Sequence, residues 1–308
     1  MNEPKKNIPP AAEMHCGYVA LIGAPNAGKS TLLNQVVGTK VAIVTRKVQT
    51  TRTRITGITV EGNAQIIFVD TPGIFEPRRR IDRAMVGAAW RGADDADQIV
   101  VMVDAGRGVT GDTDRIIDQL RKSERKAVLA LNKIDEVARP KLLKLAAELD
   151  ARGVFSEIFM ISALTGDGVR DLVDHLAGEM PKGPWLYPED QLSDITERLM
   201  AAEITREKLY ERLHQELPYQ TAVETEEWKD QKDGSARISQ VIYVQSKSQK
   251  PIVLGKGGRT VKEIGSLARA DMEQAFGRRV HLFLFVKIKP EWGDDKDYYR
   301  SMGLDYPE

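Results

Sequence analysis

Between an apolar run at residues 18–23 and a helical pattern at 29–37 stands Gly23-Ala-Pro-Asn-Ala-Gly28-Lys29-Ser30. It fits the pattern Gly, any four residues, Gly-Lys-Ser/Thr, in the context that pattern requires, after a strand and at the head of a helix. The glycines permit a turn whose main-chain N–H groups converge on phosphate oxygens, and the positive end of the helix adds to the attraction. Gly23, Pro25, Asn26, Ala27, Gly28 and Thr31 are expected to line the phosphates. Lys29 is expected to reach the β and γ positions and Ser30 to offer its hydroxyl to Mg²⁺.

This strand–loop–helix unit opens a longer alternation. Strand patterns fall at 18–23, 55–61, 65–70, 98–104, 126–132 and 157–162, with helical patterns at 29–37, 80–93, 110–122, 139–152 and 168–179. Alternation of this kind predicts an α/β fold, a mostly parallel sheet with helices on both faces. The runs 55–61 and 65–70, joined by a short Gly-containing turn, predict an antiparallel hairpin at the sheet edge.

Further motifs fall at predicted strand ends. Asp70-Thr-Pro-Gly73 follows an apolar strand about forty residues after the phosphate loop, where an Asp can hold the Mg²⁺ shell and the Gly73 amide can sense a γ-phosphate. Asp70, Thr71, Pro72 and Gly73 are therefore candidate nucleotide contacts. Asn132-Lys-Ile-Asp135 supplies base identity: the Asp135 carboxylate can accept from both the ring N–H and the exocyclic amine of guanine, an arrangement adenine does not present. Asn132 and Lys133 would brace the loops around the ring, and a main-chain amide of Ile161-Ser162-Ala163 would meet the guanine oxygen. GTP or GDP is the expected ligand. Val48-Gln-Thr-Thr-Arg-Thr53 occupies the place of a switch loop, with Thr51 favoured as the γ-phosphate-dependent Mg²⁺ ligand and Thr50 as the alternative. Lys29, Ser30, Thr51, Asp70 and Gly73 form the expected catalytic set.

Where many switch GTPases place a Gln after Asp-x-x-Gly, this chain has Ile74, which cannot hydrogen-bond an attacking water. Asn26 is a candidate helper: a K⁺ ion bound there could supply charge. The alternative is an Asn merely accommodated in a tight turn.

The chain has 308 residues, enough for two domains, and its 42% hydrophobic and 29% charged residues suit globular units with real cores. A single cysteine, Cys16, rules out an intramolecular disulfide and suggests a reducing, cytoplasmic setting. Residues 1–13 are polar and Pro-rich with no secretory-type apolar run, and no stretch has the length and hydropathy of a membrane span. Residues 181–188 hold three prolines and read as a linker. Beyond them come a helical pattern at 194–216, strands at 219–227 and 237–245, a Gly-rich loop, a helix at 259–276 and a strand at 279–287. Zero net charge conceals a local excess: residues 237–289 carry eleven Lys/Arg against three Asp/Glu. Within that stretch Gly255-Lys256-Gly257-Gly258 has the Gly-x-x-Gly form of a KH-domain clamp, which takes single-stranded RNA through close main-chain approach. Gly255, Lys256, Gly257, Gly258, Arg259 and Lys262 are the candidate RNA contacts.

From Gly17 to the C-terminus the chain resembles the Era family of bacterial GTPases. The likeness rests on Gly23–Ser30, Gln49-Thr-Thr-Arg52, Asp70-Thr-Pro-Gly73, Asn132-Lys-Ile-Asp135, Ile161-Ser-Ala163, Ile204-Thr-Arg-Glu-Lys208, Glu216-Leu-Pro-Tyr219 and Gly255-Lys-Gly-Gly258. It implies a P-loop G domain at 15–180, a linker at 181–190 and an α+β type II KH domain at 191–308, after an N-terminal extension at 1–14. It further implies binding near the 3′ end of 16S ribosomal RNA on the 30S subunit, a role in that subunit's maturation and a link to cell growth and the cell cycle. A cytoplasmic monomer, partly peripheral on the inner membrane, is the implied setting. The extension departs from the family pattern.

Overall fold

The computed structural model describes residues 10, 13–45, 47, 50–214 and 216–307. Most of the expected extension 1–14, and Val48 and Gln49 of the expected switch loop, lie outside the described residues. The chain divides into two compact units. The first comprises Met1–Val41, Thr53–Pro77 and Met85–Asp194, the second Ala42–Arg52, Arg78–Ala84 and Ile195–Glu308. No helix among the described residues is long and apolar enough to cross a membrane.

The first unit is built on a six-stranded sheet of order β2-β3-β1-β4-β5-β6, with β1 His15–Gly23, β2 Ile55–Glu61, β3 Ala64–Asp70, β4 Gln98–Asp104, β5 Ala127–Asn132 and β6 Phe155–Ile161. All neighbours run parallel except the edge pair β2/β3, the predicted hairpin. Parallel strands buried on both faces need near-continuous apolar runs. β3, Ala64-Gln-Ile-Ile-Phe-Val-Asp70, is buried at every position. Alternate residues of β1, β4 and β5 (Ala20, Ile22, Ile99, Val101, Val103, Leu129, Leu131) form one core. With them pack residues of α2 (Arg80–Asp94), α3 (Gly111–Lys122) and α4 (Arg139–Asp150). The opposite parity meets α1 (Lys29–Val37) and α5 (Val169–Gly178).

Residues 181–194 are irregular yet tightly held. Gln65, wholly buried in β3, would be costly in an apolar strand without partners. Its Oε1 accepts from the amides of Leu186 and Tyr187 at 2.9 and 3.0 Å, and its Nε2 donates to the Tyr187 carbonyl at 2.8 Å. The expected linker at 181–190 thus runs along the first unit, which extends through Asp194.

The second unit contains α6 (Glu197–Arg212), β7 (Thr221–Asp230), β8 (Ala236–Val244), α7 (Gln249–Leu254), α8 (Arg259–Phe276), β9 (Val280–Ile288) and α9 (Lys296–Ser301). β8 is central, antiparallel to β7 and parallel to β9. The helices bury one face of this sheet: Ile204, Ala268 and Met272 meet Ile238 and Val280, while Leu209 and Ile264 meet Ile242 and Val286. This is the α+β arrangement expected for the second domain.

Candidate guanine nucleotide site and nucleic-acid loop

In a doubly wound sheet a ligand crevice opens at the carboxyl ends of the strands, where the order reverses. Here β1 lies between β3 and β4, so the crevice falls at Gly23, where the phosphate-loop motif begins.

The loop is held by its own side chains. Lys29, 6% exposed, donates from Nζ to the carbonyls of Gly23 at 3.2 Å and Ala24 at 3.1 Å. Burial lowers its pKa to about 8, against a smaller opposing pull from the Asp70 carboxylate. Asn26 takes a left-handed conformation, φ 64°, uncommon for a residue with a side chain. Gly28 has φ 102°, and a Cβ there would stand 2.1 Å from Asn132 Nδ2. Only glycine allows this approach, and Asn132 uses it: Nδ2 donates to the Ala27 carbonyl at 2.8 Å while Oδ1 accepts from the Ala163 amide at 2.9 Å. One buried amide therefore ties the phosphate loop, the end of β5 and the loop after β6 together. Thr31 is half-buried at the start of α1.

The Asp70 segment joins the same cluster. Ser30 Oγ donates to Asp70 Oδ2 at 2.5 Å, and Asp70 is fully buried. Thr71 is buried with its hydroxyl donating to the Leu21 carbonyl at 2.7 Å, a link that fixes the end of β3 to β1. Pro72 is buried. Gly73 lies against Pro25, and the next amide, of Ile74, donates to the Gly23 carbonyl at 3.0 Å. The Ile74 side chain enters the core of the first unit.

At the base end, Lys133 adopts φ 66° and its Nζ lies 2.5 Å from Asp104 Oδ2. Asp104 also accepts from the amides of Gly106 and Arg107 through Oδ1, at 2.9 and 3.2 Å. Sequence reasoning passed over Asp104. Its signal was present, an Asp ending an apolar strand as Asp70 does. Asp135 stands exposed on a short turn, Ile134–Glu136, and Ser162 Oγ accepts from the Thr165 amide at 3.2 Å.

Ser30, Asp70, Asn132, Lys133, Asp135, Ser162 and Ala163 all belong to the first unit, whereas Thr50 and Thr51 belong to the second. Thr51 is buried, and Thr50 Oγ1 donates to the Lys47 carbonyl at 2.7 Å. Ser30 and Asp70 offer hard oxygen donors, the set Mg²⁺ takes alongside substrate phosphates.

In the second unit Gly255 (φ 72°, ψ 171°) turns the chain from α7 into Lys256–Gly258. A Cβ there would meet Thr260 Oγ1 at 2.2 Å. Gly257 and Gly258 follow with positive φ, and Lys256, Arg259 and Lys262 are all exposed around the loop.

Comparison with known proteins finds matches to both parts of the chain. A family model described as a 50S ribosome-binding GTPase matches residues 18–133, and the KH domain model matches 216–293. Curated relatives named GTPase Era include that of Sinorhizobium medicae, 57% identical over 97% of this chain and 96% of its own. That of Afipia carboxidovorans is 57% identical over 100% and 99%. Among solved structures, Aquifex aeolicus Era bound to GDP.AlF4- aligns with a TM-score of 0.89 at 39% identity, over 94% of this chain and 99% of that one. Era in complex with MgGDPNP and nucleotides 1506–1542 of 16S ribosomal RNA aligns with a TM-score of 0.89 at 40% identity and the same coverage. With its G domain, its KH domain and relatives of this identity along nearly its whole length, the chain belongs to the Era family of GTPases.

Proposed function

We propose that the chain is a GTP-driven switch whose KH domain binds 16S ribosomal RNA near its 3′ end and that it acts in maturation of the 30S subunit. The observation that carries this reading is the bonded convergence of the phosphate loop, Asp70 and Asn132, in one chain with an exposed basic Gly-x-x-Gly loop. A relative of the same fold has been solved with such an RNA fragment. The functional division taken here is 15–180 for nucleotide and 191–308 for RNA, joined by 181–190.

GTP hydrolysis is the activity of the family. In the proposed mechanism the main-chain amides of Gly23 to Thr31, Pro25 excepted, hold the phosphates. Lys29 exchanges its carbonyl partners for β- and γ-oxygens. Ser30 and Asp70, joined by Thr51 when the γ-phosphate is present, would hold Mg²⁺, which neutralises developing charge on the phosphate oxygens. Gly73 senses the γ-phosphate. Asp135 accepts from two guanine N–H groups, braced through Lys133 and Asp104, while Asn132 and the Ser162–Ala163 turn wall the ring. Since the Ala163 amide already serves Asn132, the next amide along this turn, that of Leu164, is left to meet the guanine oxygen. Ile74 is committed to the core, so water positioning must come from elsewhere, and a K⁺ ion at Asn26 is our candidate. Lys256, Arg259 and Lys262 attract the RNA backbone to the Gly255–Gly258 loop. A cytoplasmic monomer with a peripheral fraction at the inner membrane fits this role.

The test is nucleotide titration followed by turnover with and without RNA ending in the mature 3′ sequence. GTP and GDP should bind, ATP should not, and the RNA should change turnover. Equal uptake of ATP and GTP would end the nucleotide reading, and unchanged turnover with no RNA bound would end the RNA reading.

A further inference from the structure

Alternate residues of β9, Val280, Leu282, Leu284 and Val286, pack into the cores beneath the helices. The strand period of two therefore turns Phe283 and Phe285 to the opposite face of the sheet, where they are 43% and 52% exposed. Parallel pairing with β8 sets Phe283 beside Ser239 and Phe285 beside Val241. Val241 is fully buried, so the apolar surface this part of the face offers is that of the two rings. An aromatic side chain carries roughly 200 Å², so two half-exposed rings present ~200 Å² together. A stable protein interface needs about 800 Å² per partner. The patch is small for a protein and suited to flat rings laid upon it. Exposed aromatics on an edge strand also invite unwanted association, a liability that a binding role offsets.

The charges on this face are segregated. Arg237 of β8 is exposed, its guanidinium carbon 5.1 Å from the Phe283 ring centroid. Among the described residues it donates no hydrogen bond and joins no ion pair, so its N–H donors are open to an anion. The carboxylates lie on β7, across the sheet from β9. There Glu226 is paired with Lys287 at 2.7 Å and Glu227 with Lys229 at 2.6 Å. Arg237 exerts only a lesser pull on Glu227, whose principal partner is Lys229. A polyanion is thus repelled from the β7 side and drawn toward Arg237 and the rings. β9 has a neighbour on its β8 side alone. Its other face meets α8, which starts at the Gly255–Gly258 loop and whose Gly265 lies against Leu284. Gly265 is about 9 Å along the helix from that loop, so a strand held there reaches the rings by rounding the free edge of β9.

We propose that this face is a second RNA-binding surface: Phe285 stacks an unpaired base, and Arg237, carried on Phe283, holds an adjoining phosphate of the strand that the Gly255–Gly258 loop grips. This rests on the reading of the second unit as the RNA-binding module. Stacking on an aromatic ring is tolerant of sequence because every base has a flat face. The surface therefore adds affinity and length of contact and leaves base identity to the loop side.

The experiment uses the full chain and two kinds of single-stranded RNA probe at one salt concentration. One is about four nucleotides long, the span a Gly-x-x-Gly loop clamps, and the other is the same strand lengthened by about four nucleotides at either end in turn. The added part carries 2-aminopurine, whose fluorescence is quenched by stacking. The parent should bind one lengthened probe roughly tenfold more tightly than the short one, within the range of one stacked base. Phe285→Leu, which keeps apolar bulk but no ring face, and Arg237→Gln should each cut that gain by roughly fivefold or more. Phe285→Trp should keep it. Quenching should vanish in Phe285→Leu, while affinity for the short probe, unchanged in all variants, reports that the second unit is folded. Equal binding of short and lengthened probes by the parent, a gain that Phe285→Leu leaves intact, or equal weakening of both probes overturns the proposal. So does self-association of the parent that Phe285→Leu abolishes, which would give the face to a second copy. Lys256→Asp separates the underlying reading: if it leaves the short probe bound as before, the loop is not the clamp, whereas the rings are judged by the gain from the added nucleotides.

Discussion

Lys29 is protonated at neutral pH, but its buried position leaves little margin: with a pKa of about 8, a rise in pH discharges it well below the 10.5 of an ordinary lysine. Phosphates beside it favour the charged form and raise that value on binding. The bound state then holds a proton the free state has lost, so affinity is flat below about 8 and falls above it, by roughly tenfold per pH unit at the limit. Calorimetry at pH about 9 in buffers of different ionisation enthalpy should find close to one proton taken up per GDP. No proton uptake would mean Lys29 stays charged in the free protein. A second residue-scale prediction concerns Asn26 and Ile74. With Ile74 in the core, the ion proposed at Asn26 would supply transition-state charge, so turnover in K⁺ should exceed that in Na⁺ by roughly tenfold or more. Asn26→Ala should remove the difference, and equal rates in the two salts would dismiss the ion.

Among the elements, the loop from Gly255 to Gly258 allows stability and binding to be separated. Gly255→Ala forces a Cβ into Thr260 at a backbone conformation reserved for glycine, which should destabilise the second unit by about 1–3 kcal/mol and weaken RNA binding with it. Lys256→Asp, at an exposed position, should leave the melting temperature unchanged and weaken RNA binding alone; equal effects of the two on stability would refute the strain argument. Elements with a local signature were legible in the sequence: β2, β4, α1 and α8 fall at their predicted bounds, because apolar period and Gly or Thr caps are written locally. α7 was missed because Pro251 reads as a breaker, although in the first turn of a helix proline costs no intrahelical bond. α9 and the short turns carry too few residues to show a period. The phosphate and base motifs were legible because their chemistry demands fixed spacing. The bonds of Glu207 and Arg206 in α6 to the Val44 amide and the Thr50 carbonyl were not: they join polar groups more than 150 positions apart, and no periodicity announces such a pairing.

For the molecule as a whole, the proposed function gives one chain two ligands, nucleotide and RNA, and any influence between them must be equal in both directions. If a 16S 3′-end oligonucleotide changes the affinity for a GTP analogue by some factor, the analogue must change the affinity for that oligonucleotide by the same factor. Four dissociation constants test this: analogue with and without RNA, and RNA with and without analogue, all at one salt concentration because phosphate contacts are salt-dependent. GDP provides the contrast, since it lacks the γ-phosphate that the proposed switch reads. We expect a factor of roughly five or more with the analogue and near unity with GDP. Lys256→Asp should weaken RNA binding while leaving basal turnover intact, because its side chain lies in the second unit and the phosphate loop in the first. Should RNA bind equally well with GDP and with the analogue, the two modules are merely tethered, and GTP hydrolysis does no switching of RNA.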